Sequence, residues 1–270
     1  MERIRLTGAQ ATMLATLYGK AMDARSPNSV LHDTMALEAV RRIDHDFSKV
    51  GIKPGDASTV ALRSLHFDGW TREFLAAHPE ATVLHLGCGL DTRVFRVDPG
   101  PGVRWFDVDY PDVIDLRRKV FPEREGDYTL LATPVTPAGW LAQVPADRPV
   151  LVVAEGLTMY LREEAGRELF RAIVERFPSG QLVFDGFSKR GIKLQKVNKA
   201  VQVAGATLYW GVDGPAELES IHPALRCVSA VSAFDLDGFD RVRLAYRLLA
   251  KAARMIPVMR RMAIMYRLEF

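Results

Sequence analysis

The run Val83-Leu84-His85-Leu86 passes directly into Gly87-Cys88-Gly89, and this junction narrows the possible folds more than any other stretch of the chain. A short and nearly unbroken apolar run reads as a strand buried on both faces, the usual condition of a parallel sheet. The glycines then end it in a turn. Glycine tolerates positive φ and has no Cβ, so two glycines at i and i+2 let a ligand lie against bare backbone. The same pair would also serve as a plain packing turn between strand and helix, so the surrounding residues decide what the loop is for.

A dinucleotide-binding turn needs a third glycine three residues after the second, where a pyrophosphate meets the helix N-terminus. Thr92 stands there instead. Asp91, in the same loop, would repel a diphosphate but could accept hydrogen bonds from an amine or from hydroxyls. Both residues favour a cofactor without phosphates, and S-adenosylmethionine (SAM) fits, with its sulfonium, ammonium, carboxylate and ribose diol. An NAD-dependent oxidoreductase would share such a sheet, and it is the alternative that Asp91 and Thr92 count against.

Around this junction the pattern alternates. Helical periodicity predicts helices over Thr7–Ala24, Val30–Ile43 and Ala57–Leu65, an N-terminal cap covering residues 1–80 and belonging to the same globule. Strands are predicted over Val103–Val108, Tyr128–Ala132, Val150–Ala154, Gln181–Phe184 and Leu225–Val231, with helices between them. A half-exposed strand is read from the alternation of Ile264, Tyr266, Leu268 and Phe270. Strand and helix alternation of this kind gives a mainly parallel sheet covered on both faces, with ligands beyond the carboxyl ends of the strands. Residues 81–270 form this core. A helix-like segment over Ser188–Ala206, within residues 187–222, carries Lys189, Lys193 and Lys196 beside an apolar face of Leu194, Val197 and Val201; it reads either as an inserted lid that draws in an anionic acceptor or as an ordinary surface helix with a solvated lysine face. Tyr209 and Trp210 would pack on the acceptor's ring.

No uninterrupted apolar run reaches the roughly 18 residues of a membrane span, and the first residues carry no apolar signal core. Cys88 and Cys227 are too few for a disulfide framework or a thiolate zinc site, so a cytoplasmic protein is expected. The net charge of +3 does not argue for nucleic acid. Arg241, Arg243, Arg247, Lys251, Arg254, Arg260 and Arg261 make the tail basic, and an anionic surface would suit it. A solvated outer helix whose apolar side covers the sheet is the simpler reading.

Asp107 and Asp109 fall 20 and 22 residues after Gly87, about where an acid meets a ribose in nucleotide-binding βαβ units. Asp109, the last before the turn, is the better placed. Glu155 ends an apolar strand and needs a cation, either the SAM ammonium or an internal Arg or Lys. Arg63 could clamp a carboxylate. His66, His85 and His222 show no metal-ligand spacing, so no metal site is expected.

The segments YGKAMDARSP, ALRSLHFDGW, VLHLGCGLDTR, WFDVDYPDV and VVAEGLTMYL, in this order and spacing, resemble the leucine carboxyl methyltransferase-like group of SAM-dependent O-methyltransferases, and especially its tetracenomycin-type polyketide branch. The resemblance spans roughly residues 14–177. It implies a class I methyltransferase fold, a Rossmann-like seven-stranded mainly parallel sheet with an N-terminal helical cap. By position it places Lys20 and Arg63 near the SAM carboxylate, Gly87 and Gly89 under the methionyl moiety, Asp109 on the ribose, Glu155 at the amine and Tyr160 near the acceptor. The implied reaction is methyl transfer to a carboxylate or hydroxyl of a small aromatic or polyketide-like molecule, without nucleic acid. A protein C-terminal carboxylate is the alternative within the family. A carboxylate acceptor needs no general base, whereas a phenol would call for one at His66 or His222. Nothing in the sequence fixes the oligomeric state.

Overall fold

Among the described residues seven strands form one sheet: β1 (Thr82–Leu86), β2 (Arg104–Asp109), β3 (Tyr128–Ala132), β4 (Val150–Ala154), β5 (Gly180–Phe187), β6 (Arg226–Ser232) and β7 (Ala263–Glu269). The structure is a computed structural model describing residues 2–3, 9–52, 54–197, 199–242 and 244–270. The spatial order is β3-β2-β1-β4-β5-β7-β6. Strands β1 to β5 run parallel, and β7 enters antiparallel between β5 and β6. β1 pairs with both β2 and β4, so the strand order reverses at the end of the glycine-terminated strand. A ligand crevice belongs at this switch point.

The near-continuous apolar strands follow from two covered faces. Leu84 and Leu86 of β1 and Val150, Val152 and Ala154 of β4 join one core. Val83, Leu151 and Val153 alternate onto the other. Helix α6 (Glu163–Arg176) covers the first face with Leu169, Phe170, Ile173 and Val174. Helix α3 (Pro54–Ala77) covers the second with Leu62, Phe67, Trp70 and Phe74. α3 runs well past the predicted end at Leu65, because Phe67, Trp70 and Phe74 keep three- and four-residue spacing until His78-Pro79 stops it.

Helices α1 (Ala9–Ala24) and α2 (Thr34–Arg42) complete the N-terminal layer. They pack on α5 (Pro111–Val120), which follows the short α4 (Arg93–Val97), through Leu14, Leu17, Ala39, Leu116 and Val120. The predicted helix start at Thr7, residue Arg243 and the side chain of Val197 lie outside the described residues.

Three expectations need correction. The terminal strand is not half-exposed: Tyr266 and Leu268 of β7 enter one core and Met265 the other, so all three are buried. The helix-like part of the lid segment, Ser188–Ala206, is not one helix but α7 (Lys189–Lys193), a 3-10 turn at Gln195–Val197 and α8 (Lys199–Ala204); α9 (Pro215–Glu219) is a separate short helix that begins at Pro215. The outer helix expected in the basic tail is α10 (Leu244–Met255) and α11 (Pro257–Arg260), inserted between β6 and β7. Its apolar residues do not all cover the sheet: Leu244, Leu248 and Leu249 are each more than half exposed. Arg254 and Arg260 meet Asp235 at 3.1 and 2.7 Å.

Candidate cofactor crevice and its ion-pair wall

The carboxyl ends of β1, β2 and β4 open into a crevice whose floor is the glycine turn and whose roof is α1. Gly87 and Gly89 have φ of +60° and +48°. A Cβ on Gly87 would stand 2.9 Å from Leu157 Cδ1, and one on Gly89 3.2 Å from Met13 Cβ. The turn thus needs glycine for its conformation and for the closeness of its neighbours.

Asp109, at the end of β2, lines the crevice and accepts the Gly89 N–H at 2.7 Å and the Tyr110 N–H at 2.8 Å. Burial raises its pKa, and those two bonds hold part of the rise back. Asp107 has a different job. It is fully buried and accepts from Trp105 Nε1 at 2.9 Å and from the Tyr128 hydroxyl at 2.6 Å, contacts His85 Nδ1 at 2.9 Å and pairs with Arg117. Burial pushes the Asp107 carboxyl up, but Arg117 and His85 hold it well below the usual range. Arg117 in turn donates to the carbonyls of Gly89 at 3.1 Å and Asp91 at 2.6 Å. Asp107 therefore supports the loop from behind, while Asp109 faces the ligand side.

One wall is a lattice of charges. Lys20 of α1, almost fully buried, meets Asp91 at 3.0 Å. Glu155, just past β4, accepts from Arg63 Nε at 3.0 Å and the Ser64 hydroxyl at 2.8 Å, and pairs with Arg93 Nη2. Burial raises the Glu155 pKa, but Arg63, Lys20 and Arg93 outweigh it and hold it at about 2. Burial likewise works against Asp91, and Arg96, Lys20 and Arg93 hold its carboxyl far down. Of the two cations considered for Glu155, the structure supplies the internal arginines. Arg63 also reaches Asp185 at 3.0 Å, and Asp185 accepts the Gly156 N–H at 2.6 Å. Thr92, in the place of a third glycine, donates its hydroxyl to Asp33 at 2.6 Å.

The crevice gathers Lys20, Arg63, Gly87, Gly89, Asp109, Glu155 and Tyr160. It does not gather the rest of the expected site. His66 is one turn beyond Arg63 on α3, leans on Trp70 with ring centroids 4.2 Å apart, and is kept toward the neutral form by burial. His222 uses Nδ1 to accept the Ala224 N–H at 3.1 Å in a turn. Trp210 is core, not acceptor surface: it fills the slot left by Gly166 on α6 and packs on Phe170 at 5.7 Å. Tyr209 is half exposed beneath the Arg162 guanidinium at 5.1 Å, Lys193 is exposed, and Lys189 pairs with Glu217 at 2.8 Å. The sequence reading missed Met13, Leu157 and Tyr110 as crevice walls, because a lone apolar or aromatic residue carries no signal of its own. It also missed the wholly buried Arg93, whose cue was its place directly after Asp91-Thr92.

The leucine carboxyl methyltransferase signature matches residues 13–174, which hold the crevice just described. This chain belongs to the leucine carboxyl methyltransferase family. Across 259 residues and 96% of both chains it is 44% identical to the tetracenomycin polyketide synthesis O-methyltransferase of Streptomyces glaucescens. It is 38% identical over 245 residues to an S-adenosyl-L-methionine-dependent methyltransferase of Gibberella zeae, covering 83% of this chain and 82% of that one. Among solved structures, a Thermobifida fusca protein superposes with a TM-score of 0.61 at 16% identity over 97% of this chain and 94% of its own. Magnesium protoporphyrin IX methyltransferase from Synechocystis, solved with bound SAH, gives 0.50 at 12% identity over 88% and 95%. These two establish the class I fold. As a member of the family the protein is a SAM-dependent methyltransferase, which removes the oxidoreductase alternative. Among the described residues no helix is long and apolar enough to cross a membrane.

Proposed function

We propose that this methyltransferase transfers its methyl group to an oxygen of a small aromatic, polyketide-like molecule, and that the oxygen belongs to a carboxylate. The residues fit SAM on their own chemistry: the glycine cradle that a Cβ would fill, the Asp109 carboxylate at its rim for a ribose diol, and Arg63 with Lys20 for a carboxylate. Bound there, SAM supplies an electrophilic methyl on its sulfonium. The 44% identical Streptomyces enzyme, an O-methyltransferase of polyketide synthesis, supports the acceptor class.

One observation carries the choice of a carboxylate. Among the described residues lining the crevice, each carboxylate and the histidine is already engaged: Glu155 by Arg63 and Arg93, Asp91 by Lys20 and Arg96, Asp109 by two backbone N–H groups, and His85 by Asp107 and Arg93. Tyr160 is buried and its pKa is raised, first by burial, so it stays neutral at physiological pH. A phenol would need a base, whereas a carboxylate arrives ionised. The residues then have to hold and align the acceptor and exclude water, and alignment supplies roughly 7–11 kcal/mol of such a barrier. The test is incubation with methyl-labelled SAM and a panel of polyketide acids and phenols, followed by mild base. Label lost in base marks an ester; label that survives on a phenol would overturn the carboxylate assignment.

A further inference from the structure

Helix α10 carries apolar side chains on two faces, and the fold uses only one of them. Tyr246, Ala250 and Ala253 recur at four and three residues; the two alanines are buried, and Tyr246 packs on the core that α3 covers. On the opposite side Leu244, Leu248 and Met255 recur at four and seven residues, with exposures of 64%, 58% and 81%. Lys251 falls on this outer stripe between Leu248 and Met255, and Arg247 borders it; both are exposed. The apolar surface continues into α11, where Val258 and Met259 are exposed. Scattered exposed apolar residues are ordinary, but a stripe along one helix marks a contact surface. The charges around it have one sign. From Arg241 to Met262 the chain has no Asp or Glu, against seven Arg and Lys. Asp235 pairs with Arg254 and Arg260, which leaves Arg247, Lys251 and Arg261 without an acid partner among the described residues.

We propose that the outer face of α10 and α11 docks on the surface of an anionic lipid bilayer, lying in the headgroup layer rather than crossing it. A helix with an apolar stripe flanked by Lys and Arg seats its apolar side chains at the boundary between headgroups and acyl chains, and its cations among the anionic headgroups. Lys251 fits this arrangement although it stands within the stripe, because its long stem can lie along apolar surface while the ammonium reaches the headgroups. A bilayer needs no groove on the protein, and a single convex helix offers none. A second copy of the chain is disfavoured, since it would set Arg247, Lys251 and Arg261 against the same three cations. The docking element is inserted between β6 and β7, outside residues 13–174 that carry the family signature, so it stands independently of the methyltransferase reading.

The test is flotation of the full chain with lipid vesicles. In low salt it is expected to float with vesicles of about one-third phosphatidylglycerol in phosphatidylcholine, about tenfold or more above pure phosphatidylcholine, and to be released as salt rises. Arg247→Gln with Lys251→Gln, and separately Leu244→Gln with Leu248→Gln and Met255→Gln, should each weaken that binding about tenfold at an unchanged melting temperature. All of these side chains are exposed, so neither variant opens the core, and Leu248→Gln alone takes the place of the triple variant if that one melts early. Wild type that does not float with the anionic vesicles would overturn the docking, and wild type that ignores them but binds polyglutamate would give the face to an acidic protein instead. Equal flotation of a folded Leu/Met variant would reduce the contact to charge adsorption and remove the apolar stripe from it. A dimer in sedimentation that the same variant dissolves would show that a second copy covers the face.

Discussion

The carboxylate of Asp109 accepts the backbone N–H of Gly89 at 2.7 Å, so the acid at the end of β2 and the turn at the end of β1 are one unit. Two residues earlier, Asp107 serves Arg117, Tyr128 and Trp105 behind the loop, and His85, whose ring lines the crevice. The two aspartates should therefore fail in different assays. Asp109→Ala is expected to keep the fold and weaken SAM by about 1.5–3 kcal/mol, the worth of a hydrogen bond to a charged group. Asp107→Ala is expected to destabilise by about 3–5 kcal/mol, since it strands a buried guanidinium. Calorimetry with SAM and thermal melts separate them, and equal SAM losses from equally stable variants would contradict the division.

Glu155 gives a pH dependence with a definite sign. Its pKa in the folded protein is about 2 against an ordinary 4.5, so the charged form contributes stability that is complete above about pH 4.5 and lost as pH falls toward 2. The difference corresponds to roughly 3 kcal/mol. Asp91 and Asp107, held down by their cationic neighbours, add to this acid limb, whereas Asp109 and Asp185, raised by burial, act oppositely. Glu155→Gln should lower the melting temperature at pH 7 and flatten its decline between pH 5 and 3. Parallel melting curves for the two proteins would remove Glu155 from the acid response.

Gly89→Val is expected to abolish SAM binding, and it should also cost stability. A φ of +48° is costly for a β-branched residue, about 1–3 kcal/mol, and its Cβ would press on Met13 of α1. A variant as stable as wild type that still binds SAM would show that neither the turn nor the closeness of α1 matters.

Changing Lys189, Lys193 and Lys196 together to Gln is expected to leave the acceptor KM and its salt dependence unchanged. Lys189 is held by Glu217, Lys193 and Lys196 are exposed, and none lines the cofactor crevice. A raised KM with a flatter ionic-strength profile would restore those lysines as a steering element.

The strands and the glycine crevice were legible because buried parallel strands write their burial into the sequence as unbroken apolar runs, and because the Gly87/Gly89 pair and Asp109 are bound to strand ends. What escaped depends on contacts far apart in the chain. Trp210 looked like an acceptor-packing ring until Gly166, 44 positions earlier, was seen to leave room for it in the core. Glu155 could have awaited a ligand, and only the fold brings Arg63 and Arg93 to it from 92 and 62 residues away. The terminal alternation marks a strand, but burial of both its faces comes from two cores built by residues far away in the chain, which periodicity does not encode.

The buried Arg93 has a consequence for how the molecule comes apart. It binds Asp68 of α3 at 2.8 Å and Glu155 beyond β4, while Arg96 joins Asp33 before α2 at 3.0 Å and Lys20 of α1 joins Asp91. Each N-terminal helix is thus tied by a charge to the loop or strand end that builds the crevice. Removing residues 1–80 would leave Arg93, Asp91 and Glu155 without several of their counter-charges, so the remaining sheet should not survive as an independent unit. Helical layer and sheet are expected to melt in a single cooperative transition, and the helical layer of a distant relative grafted here would have to bring its own matching ions.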